Sequence, residues 1–169
     1  MQPRPILLNS CARAATAAEA RFRIDAPIVP SRATRILALD DGSVDVVSRV
    51  ARMPWASARF LTCRTGVQSD AGRLAEISLR TIDGAPTELS DELAGVDVVV
   101  MVATSDAGAD AASVVGAACT VRGIMTAGLI LGTGGAAHAA VAALRPHARF
   151  ILVTGDDQDV AEVLTALRT

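Results

Sequence analysis

A glycine-rich segment near the carboxyl end carries the sharpest chemical motif of the chain. Residues 132–137 read Gly-Thr-Gly-Gly-Ala-Ala, which fits the pattern G-x-G-x-x-G/A. Glycines let the backbone approach a pyrophosphate, and a helix beginning behind them offers unpaired N–H groups. Asp156 follows the segment by about 20 residues, the spacing of a carboxylate that binds a ribose hydroxyl. The motif predicts a nucleotide- or dinucleotide-binding loop formed by Gly132, Thr133, Gly134 and Gly135, with Asp156 as a further ligand-binding residue.

The same glycines also have a purely structural explanation. Close packing of a strand against the helix that follows it requires small residues in the turn between them. The chain is rich in Gly and Ala, so such a turn needs no ligand to account for it. The identity of any cofactor therefore stays open at this point.

Three aspartates form a second candidate group. Asp40 and Asp41 follow an apolar run that ends at Leu39, and Asp106 follows another that ends at Ala103. If both runs are parallel strands, their carboxyl ends share one edge of the sheet. Carboxylates there can act as general acids and bases or hold Mg²⁺. Asp40, Asp41 and Asp106 are thus candidate catalytic residues of a hydrolase or lyase. Helix capping is the simpler explanation of the same residues, and we assign no metal ligand.

The cysteines suggest little chemistry. Cys63 precedes Arg64, whose charge would lower the thiol pKa if the two side chains were close, whereas a buried cysteine behaves as a small hydrophobic residue. Cys11, Cys63 and Cys119 form no C-x-x-C pair. Widely spaced cysteines are typical of reduced thiols and predict a cytoplasmic protein.

The absence of two residue types excludes several classes of enzyme. All 16 basic residues are arginines, and the sequence contains no lysine and no tyrosine. A Walker A lysine, a Schiff-base lysine, a protein kinase and a tyrosine general acid are therefore excluded. The net charge of −2 and the scattered arginines predict no nucleic-acid partner. No apolar run approaches the roughly 18 residues of a membrane span, so no membrane partner is expected.

The elements that must position these residues are organised around residues 96–131. Two continuous apolar runs, 96–103 and 123–131, flank an alanine-rich segment with helical character. Continuous apolar runs are typical of parallel strands covered on both faces, and the helix between them completes a βαβ unit. We therefore predict an α/β fold, a Rossmann-like three-layer sandwich with a mostly parallel sheet and helices on both faces.

The rest of the chain extends this pattern. Further strands are expected at 34–39, 58–63 and 148–153, with a half-exposed or edge strand at 74–82. Ser43 and Ser90 are expected to cap the helices that follow them, and a final helix buries a stripe that includes Val160 and Leu164. Residues 32–169 are thus predicted to form a single α/β domain.

The first 31 residues are predicted to form a separate arm. An alanine-rich helix over about 11–23 is followed by a connector containing Pro27 and Pro30. Such a helix is marginal alone in water and must bury its apolar side. Either a neighbouring copy of the chain or an edge of its own sheet offers a surface for it. We favour the neighbouring copy and expect a homodimer or larger homo-oligomer.

One segment resembles a known family. Residues 95–108, with the strand Val96-Asp97-Val98-Val99-Val100 and the Ala/Gly-rich helix that follows, loosely resemble the strand and phosphate loop of the tubulin/FtsZ nucleotide-binding family. With the helix that follows, the resemblance covers about a sixth of the chain. Ser105-Asp106-Ala107-Gly108-Ala109-Asp110 replaces the family's glycine-threonine loop, and its two carboxylates would repel a phosphate. The resemblance therefore implies no function for this chain.

These observations lead to one expectation and two alternatives. The expectation is a Rossmann-like domain that binds a small molecule, a nucleotide or phosphorylated metabolite, at the carboxyl ends of the strands. The first alternative is the carboxylate- or metal-dependent hydrolase or lyase. The second is a non-catalytic scaffold or assembly subunit in which the polar residues only cap helices. The sequence does not decide whether the protein is an enzyme.

Overall fold

The computed structural model describes residues 32–65, 77–132, 137–167 and 169. The predicted amino-terminal arm, residues 1–31, lies outside the described residues, as do the start of the strand predicted at 74–82 and three residues of the predicted glycine loop, Thr133, Gly134 and Gly135. The structure therefore bears on the predicted α/β domain and not on the arm.

Seven strands form one sheet in the described part of the chain. They are β1 (Thr34–Ala38), β2 (Ala58–Thr65), β3 (Ile77–Thr81), β4 (Pro86–Thr87), β5 (Val98–Ala103), β6 (Met125–Leu131) and β7 (Phe150–Thr154). The helices are α1 (Asp41–Ala51), α2 (Leu89–Glu92), α3 (Ala109–Arg122), α4 (His138–Leu144) and α5 (Gln158–Ala166), and a 3₁₀ turn (Asp106–Gly108) precedes α3. The predicted α/β class is confirmed.

The order of the strands is β4-β3-β2-β1-β5-β6-β7. Five neighbouring strands are parallel to one another, namely β2, β1, β5, β6 and β7. At the β2 side of the sheet, β3 pairs antiparallel with β2, and β4 pairs antiparallel with β3. The parallel strands, renumbered in chain order, follow 2-1-3-4-5. This order places β1 beside β5, and the chain leaves β1 toward one edge of the sheet and β5 toward the other.

The core lies on both faces of the sheet, as alternate residues of β5 show. Val98, Val100 and Val102 belong to one apolar cluster, which also contains Val47 of α1 and Leu164 of α5. The alternate residues Val99, Met101 and Ala103 belong to a second cluster, with Val115 of α3 and Leu144 of α4. All six residues of β5 are fully buried, which explains why its sequence is continuously apolar rather than alternating.

Two predicted helix caps were wrong. Asp40, not Ser43, is the N-cap of α1, and Ser43 lies inside the helix as the other half of a capping box. Ser90 likewise lies inside α2, whose N-cap is Glu88. The strand predicted as half-exposed or at the edge, β3, is half-exposed, with Leu79 buried, and pairs with β2 on one side and β4 on the other. Among the described residues, the edge strand beyond β3 is β4, whose two residues are too few to leave a periodic pattern in the sequence.

Candidate functional site at the carboxyl ends of the strands

The loops after β1 and β5 meet where the strand order reverses. Leu39 continues β1 and donates its backbone N–H to Val102 of β5 at 2.9 Å, so the two strands stay paired up to their carboxyl ends. Asp40 and Thr104 begin the two loops. Crevices at such a reversal are the usual ligand sites of open α/β sheets, because neighbouring loops diverge there.

Asp40 builds the first half of this site as a helix cap. Its backbone is extended, with φ of −142° and ψ of 167°. Its Oδ1 accepts a hydrogen bond from the Ser43 N–H at 2.8 Å, and the Asp40 N–H donates to the Ser43 Oγ at 3.1 Å. This reciprocal pair satisfies backbone donors that the start of a helix would otherwise leave without partners. The aspartate thereby fixes the start of α1.

The same carboxylate holds the loop after β5. Thr104 donates its N–H to Oδ2 of Asp40 at 2.7 Å and its hydroxyl to Oδ1 at 2.8 Å. Ser105 donates its N–H to Oδ2 at 2.9 Å and its hydroxyl to the same atom at 3.3 Å. Together with Ser43, five donors converge on one carboxylate, which offers about four lone-pair sites. Asp40 therefore joins the two loops and has no spare acceptor capacity for a substrate or metal.

The electrostatics of Asp40 agree with this role. Burial raises the pKa of the carboxyl, but the hydrogen bonds from Thr104, Ser43 and Ser105 together outweigh burial, so that the pKa lies below its ordinary value. Asp40 is 7% exposed and stays ionised at neutral pH. A carboxylate with a lowered pKa and saturated acceptors is poorly suited to general acid catalysis.

Asp106, the second predicted catalytic residue, caps a different helix. Its Oδ1 accepts hydrogen bonds from the N–H groups of Ala139 at 2.6 Å and Ala140 at 3.3 Å, in the first turn of α4. A carboxylate at this position is stabilised by the helix dipole. It also lies where the glycine motif predicted a pyrophosphate, because α4 is the helix that follows the glycine loop. The Asp106 carboxylate thus lies at the start of α4, where the glycine motif predicts the phosphate of a ligand.

The described residues of the glycine motif lie at the ends of neighbouring strands. Gly132 follows β6 with a φ of +137°, a conformation that favours glycine, and its N–H bonds to the carbonyl of Thr154 at 2.8 Å. Asp156 follows the adjacent strand β7, and its Oδ1 accepts from the Gln158 N–H at 2.8 Å, at the start of α5. Gly132 and Asp156 therefore share one edge, and Asp156 also serves as a cap.

A small cavity opens beside this edge, at the carboxyl ends of β1 and β2. Its volume is about 220 Å³, and Leu39, Asp41, Cys63 and Arg64 line it. Arg64 Nη2 lies 3.8 Å from Asp41 Oδ1, with side chains 73% and 93% exposed. Such an exposed ion pair contributes little stability. Both charged groups remain accessible to a ligand, in contrast to the buried Asp40. Sequence patterns did not identify this cavity, because Arg64 has no motif around it.

The thiol in this cavity is not activated. Burial raises the pKa of Cys63 to about 12, so the interpretation that Arg64 lowers it was wrong. Arg64 directs its charge toward Asp41, and its side chain is largely exposed to solvent. Cys119 is also buried, and its pKa is raised to about 11 by burial, against a smaller lowering effect of Arg122. Both cysteines act as packing residues.

Two further findings concern the described residues as a whole. Within residues 32–65, 77–132, 137–167 and 169, no three His, Cys, Asp or Glu side chains are grouped so that they could hold a metal ion. None of the helices in this part of the chain has the length and apolar character needed to cross a membrane.

No protein-family model, curated protein or solved structure gives a significant match to this chain. Its function must therefore be argued from the geometry of its own residues.

Proposed function

We propose that this protein is a Rossmann-like, three-layer domain that binds a small ligand, a nucleotide or phosphorylated metabolite, at the carboxyl ends of its parallel strands. The observation that carries the proposal is the reversal of strand order between β1 and β5, with the loops that begin at Asp40 and Thr104 joined across it. Core clusters on both faces of the sheet support the three-layer arrangement.

Two positions at this edge suit a phosphate. One is the guanidinium of Arg64 in the cavity beside β1 and β2, because arginine binds phosphate through two parallel hydrogen bonds. The other is the glycine loop with the first turn of α4, where Asp106 already accepts from Ala139 and Ala140. We favour Arg64, since a phosphate there displaces an exposed ion pair rather than a helix cap.

A thermal-shift panel of ATP, GTP, NAD⁺ and a sugar phosphate, each at up to 5 mM, tests the proposal directly. A ligand at 100 times its Kd stabilises the folded chain by about 2.7 kcal/mol and raises the Tm. We expect at least one of these compounds to do so. Absence of any shift across the panel would contradict the proposal and favour a scaffold or assembly subunit, whose polar residues only cap helices.

Variants then separate the two positions. Arg64→Gln is expected to abolish the shift if the phosphate lies in the cavity, whereas Asp106→Asn should leave it unchanged. If the phosphate lies at the glycine loop, Asp106→Asn should instead increase the shift, because a competing anion is removed. Arg122→Gln, at the last residue of α3, is the matched control. It removes a surface guanidinium next to the amino end of β6, away from the proposed site, and should not change the shift.

The hydrolase or lyase alternative has weaker support. It requires Asp40, Asp41 and Asp106 to present free carboxylate oxygens to a metal or substrate. The oxygens of Asp40 accept five hydrogen bonds, and Asp106 caps α4. Asp41 has a largely exposed side chain at the cavity. We therefore assign Asp40 and Asp106 to positioning the loops rather than to catalysis.

A further inference from the structure

The two edges of the sheet differ in how they are protected. The edge strand β4 has only two residues, one of them Pro86, which lacks a backbone donor. Short strands and prolines are the usual means of preventing edge-to-edge pairing. At the other edge, β7 reads Phe-Ile-Leu-Val-Thr, with no proline, glycine or charge. Among the described residues, β7 pairs with β6 alone.

The exposed side of β7 presents both hydrogen-bonding groups and apolar side chains. The Thr154 carbonyl at the end of β7 accepts a hydrogen bond from the Gly132 N–H, next to β6, at 2.8 Å. The N–H and C=O of one strand residue point to the same side, and the sides alternate along the strand. The N–H groups of Phe150 and Leu152 therefore face β6, and those of Ile151 and Val153 point away from it. Phe150 is 38% exposed and Val153 is 49% exposed, and the side chains of neighbouring strand residues lie on opposite faces. The unpaired edge is thus flanked by exposed apolar groups above and below.

We propose that β7 pairs with β7 of a second copy of this chain, antiparallel and about a two-fold axis near Leu152, to form one continuous sheet across a homodimer. The outward N–H groups belong to Ile151 and Val153, and a register centred on Leu152 makes these two residues a hydrogen-bonded pair across the two copies. That register sets Phe150 opposite Thr154 of the second copy on one face. It sets Ile151 opposite Val153 of the second copy on the other face, so each exposed side chain gains a cross-strand neighbour.

The charges at the ends of β7 favour this antiparallel arrangement. Arg149, exposed, precedes the strand, and Asp156, also exposed, follows it by two residues. Antiparallel pairing brings the basic end of each copy toward the acidic end of the other, whereas parallel pairing would bring like charges together. A two-fold arrangement also uses the edge of both copies, so that assembly closes at the dimer instead of continuing into a fibre. This surface uses other residues than the predicted arm, residues 1–31, and than the cavity at Arg64, the favoured ligand position.

Sedimentation velocity of the full chain from 1 to 200 µM tests the proposal. We expect a monomer–dimer equilibrium for the natural sequence, and at least a tenfold weaker dimer for Phe150→Lys and for Val153→Lys, because each introduces a charge beside the paired edge. Val121→Lys is the matched control. Val121 is 85% exposed on α3, so its replacement removes an exposed apolar residue elsewhere and should leave the dimer intact.

Hydrogen exchange of the natural sequence supplies a second measurement that does not depend on variants folding. The amides of Ile151 and Val153 should exchange at least tenfold more slowly at 200 µM than at 1 µM, with no such change at Thr87 on the other edge. A chain that is monomeric at 200 µM would overturn the proposal. So would a dimer that both lysine variants leave unchanged, which would indicate another surface, such as residues 1–31.

Discussion

Thr104 donates two hydrogen bonds to the carboxylate of Asp40, one from its N–H at 2.7 Å and one from its hydroxyl at 2.8 Å, although 64 residues separate them along the chain. The pair ties the loop after β1 to the loop after β5 where the strand order reverses. Since Asp40 also caps α1, a single side chain fixes a helix start and a neighbouring loop. The shape of the proposed ligand site therefore depends on Asp40.

Stability should depend on pH through this carboxylate. The folded-state pKa of Asp40 lies below its ordinary value of 3.8, so folding favours the ionised form. The resulting stabilisation is fully present above pH 3.8 and is lost as the pH falls through the folded-state pKa. Asp40→Asn replaces one acceptor oxygen by a donor and is expected to cost about 2–3 kcal/mol at pH 7.

Urea denaturation between pH 2 and pH 7 checks this expectation. The difference in unfolding free energy between the natural chain and Asp40→Asn should be constant near neutrality and should decrease below pH 3.8. Asp41→Asn, at a side chain 93% exposed, should change stability by less than about 0.5 kcal/mol. A difference that stays constant down to pH 2 would show that the ionised form of Asp40 has no special role.

Gly42 should be required for the contact between Asp40 and Thr104. A Cβ at this position would overlap the Thr104 hydroxyl and lie 3.2 Å from the Thr104 Cβ. In an open helical position Ala is more stable than Gly by about 1 kcal/mol. Here we expect the opposite sign, with Gly42→Ala destabilising the chain by about 1–3 kcal/mol because the threonine must move.

Gly155→Ala provides the matched control for Gly42→Ala. An added Cβ at Gly155 meets nothing within 4 Å, and we expect a change of less than about 0.5 kcal/mol. Thermal or urea unfolding of both variants measures the comparison. Equal effects at the two positions, or a stabilising Gly42→Ala, would show that the loop adjusts without cost.

The central βαβ unit could be predicted because its signal is local. Six consecutive buried residues form β5, and all are apolar, so hydrophobicity alone identifies the strand. The class of fold follows from repeating such units with helices between them. The cap at Asp40 also had a local signal, since Asp40 and Ser43 are three residues apart, the spacing of a capping box. The simpler assignment to Ser43 overlooked it.

The use of the carboxylates could not be predicted in the same way. Asp106 caps α4, whose first turn lies 33 residues away at Ala139, and no local pattern links the two. The sequence pattern predicts that Asp106 and the start of α4 lie at one edge of the sheet. It does not determine whether the carboxylate there binds a ligand or a backbone N–H. That choice depends on distances of about an ångström, which arise only when the loops pack.

The two buried thiols should be unreactive in the native protein. With pKa values raised to about 12 for Cys63 and about 11 for Cys119, the thiolate fraction at pH 8 is about 10⁻³ or less. In a Cys11→Ser background, which removes the cysteine outside the described residues, we expect no rapid reaction with an aromatic disulfide reagent. Two thiols should react after unfolding in urea. Rapid native reaction of one thiol, abolished by Cys63→Ser, would indicate an activated cysteine in the cavity.

A buried carboxylate at the other end of the sheet should be important for stability. Glu92 of α2, with a side chain 5% exposed, pairs with Arg35 Nε at 3.1 Å and with Arg59 Nη2 at 2.9 Å. The two arginines are direct partners in the β1–β2 register, so their charges lie side by side and would repel without the glutamate. Thr87 of β4 donates its hydroxyl at 2.8 Å to Glu92 Oε1, the oxygen that also pairs with Arg59. One carboxylate thus links α2 with three strands.

Replacing Glu92 by Gln should leave the partly buried Arg35, whose side chain is 17% exposed, without a counter-charge. Removing one partner of a buried ion pair costs about 3–5 kcal/mol, whereas the exposed position of Arg59 places this case near the lower value. Glu88→Gln is the matched control, because Glu88 is exposed and makes no side-chain cap hydrogen bond. Urea denaturation should show a loss of about 3 kcal/mol for the first variant and less than about 0.5 kcal/mol for the second. Similar losses for both would mean that the arginines are hydrated well enough to need no partner, and that α2 is held by its apolar contacts instead.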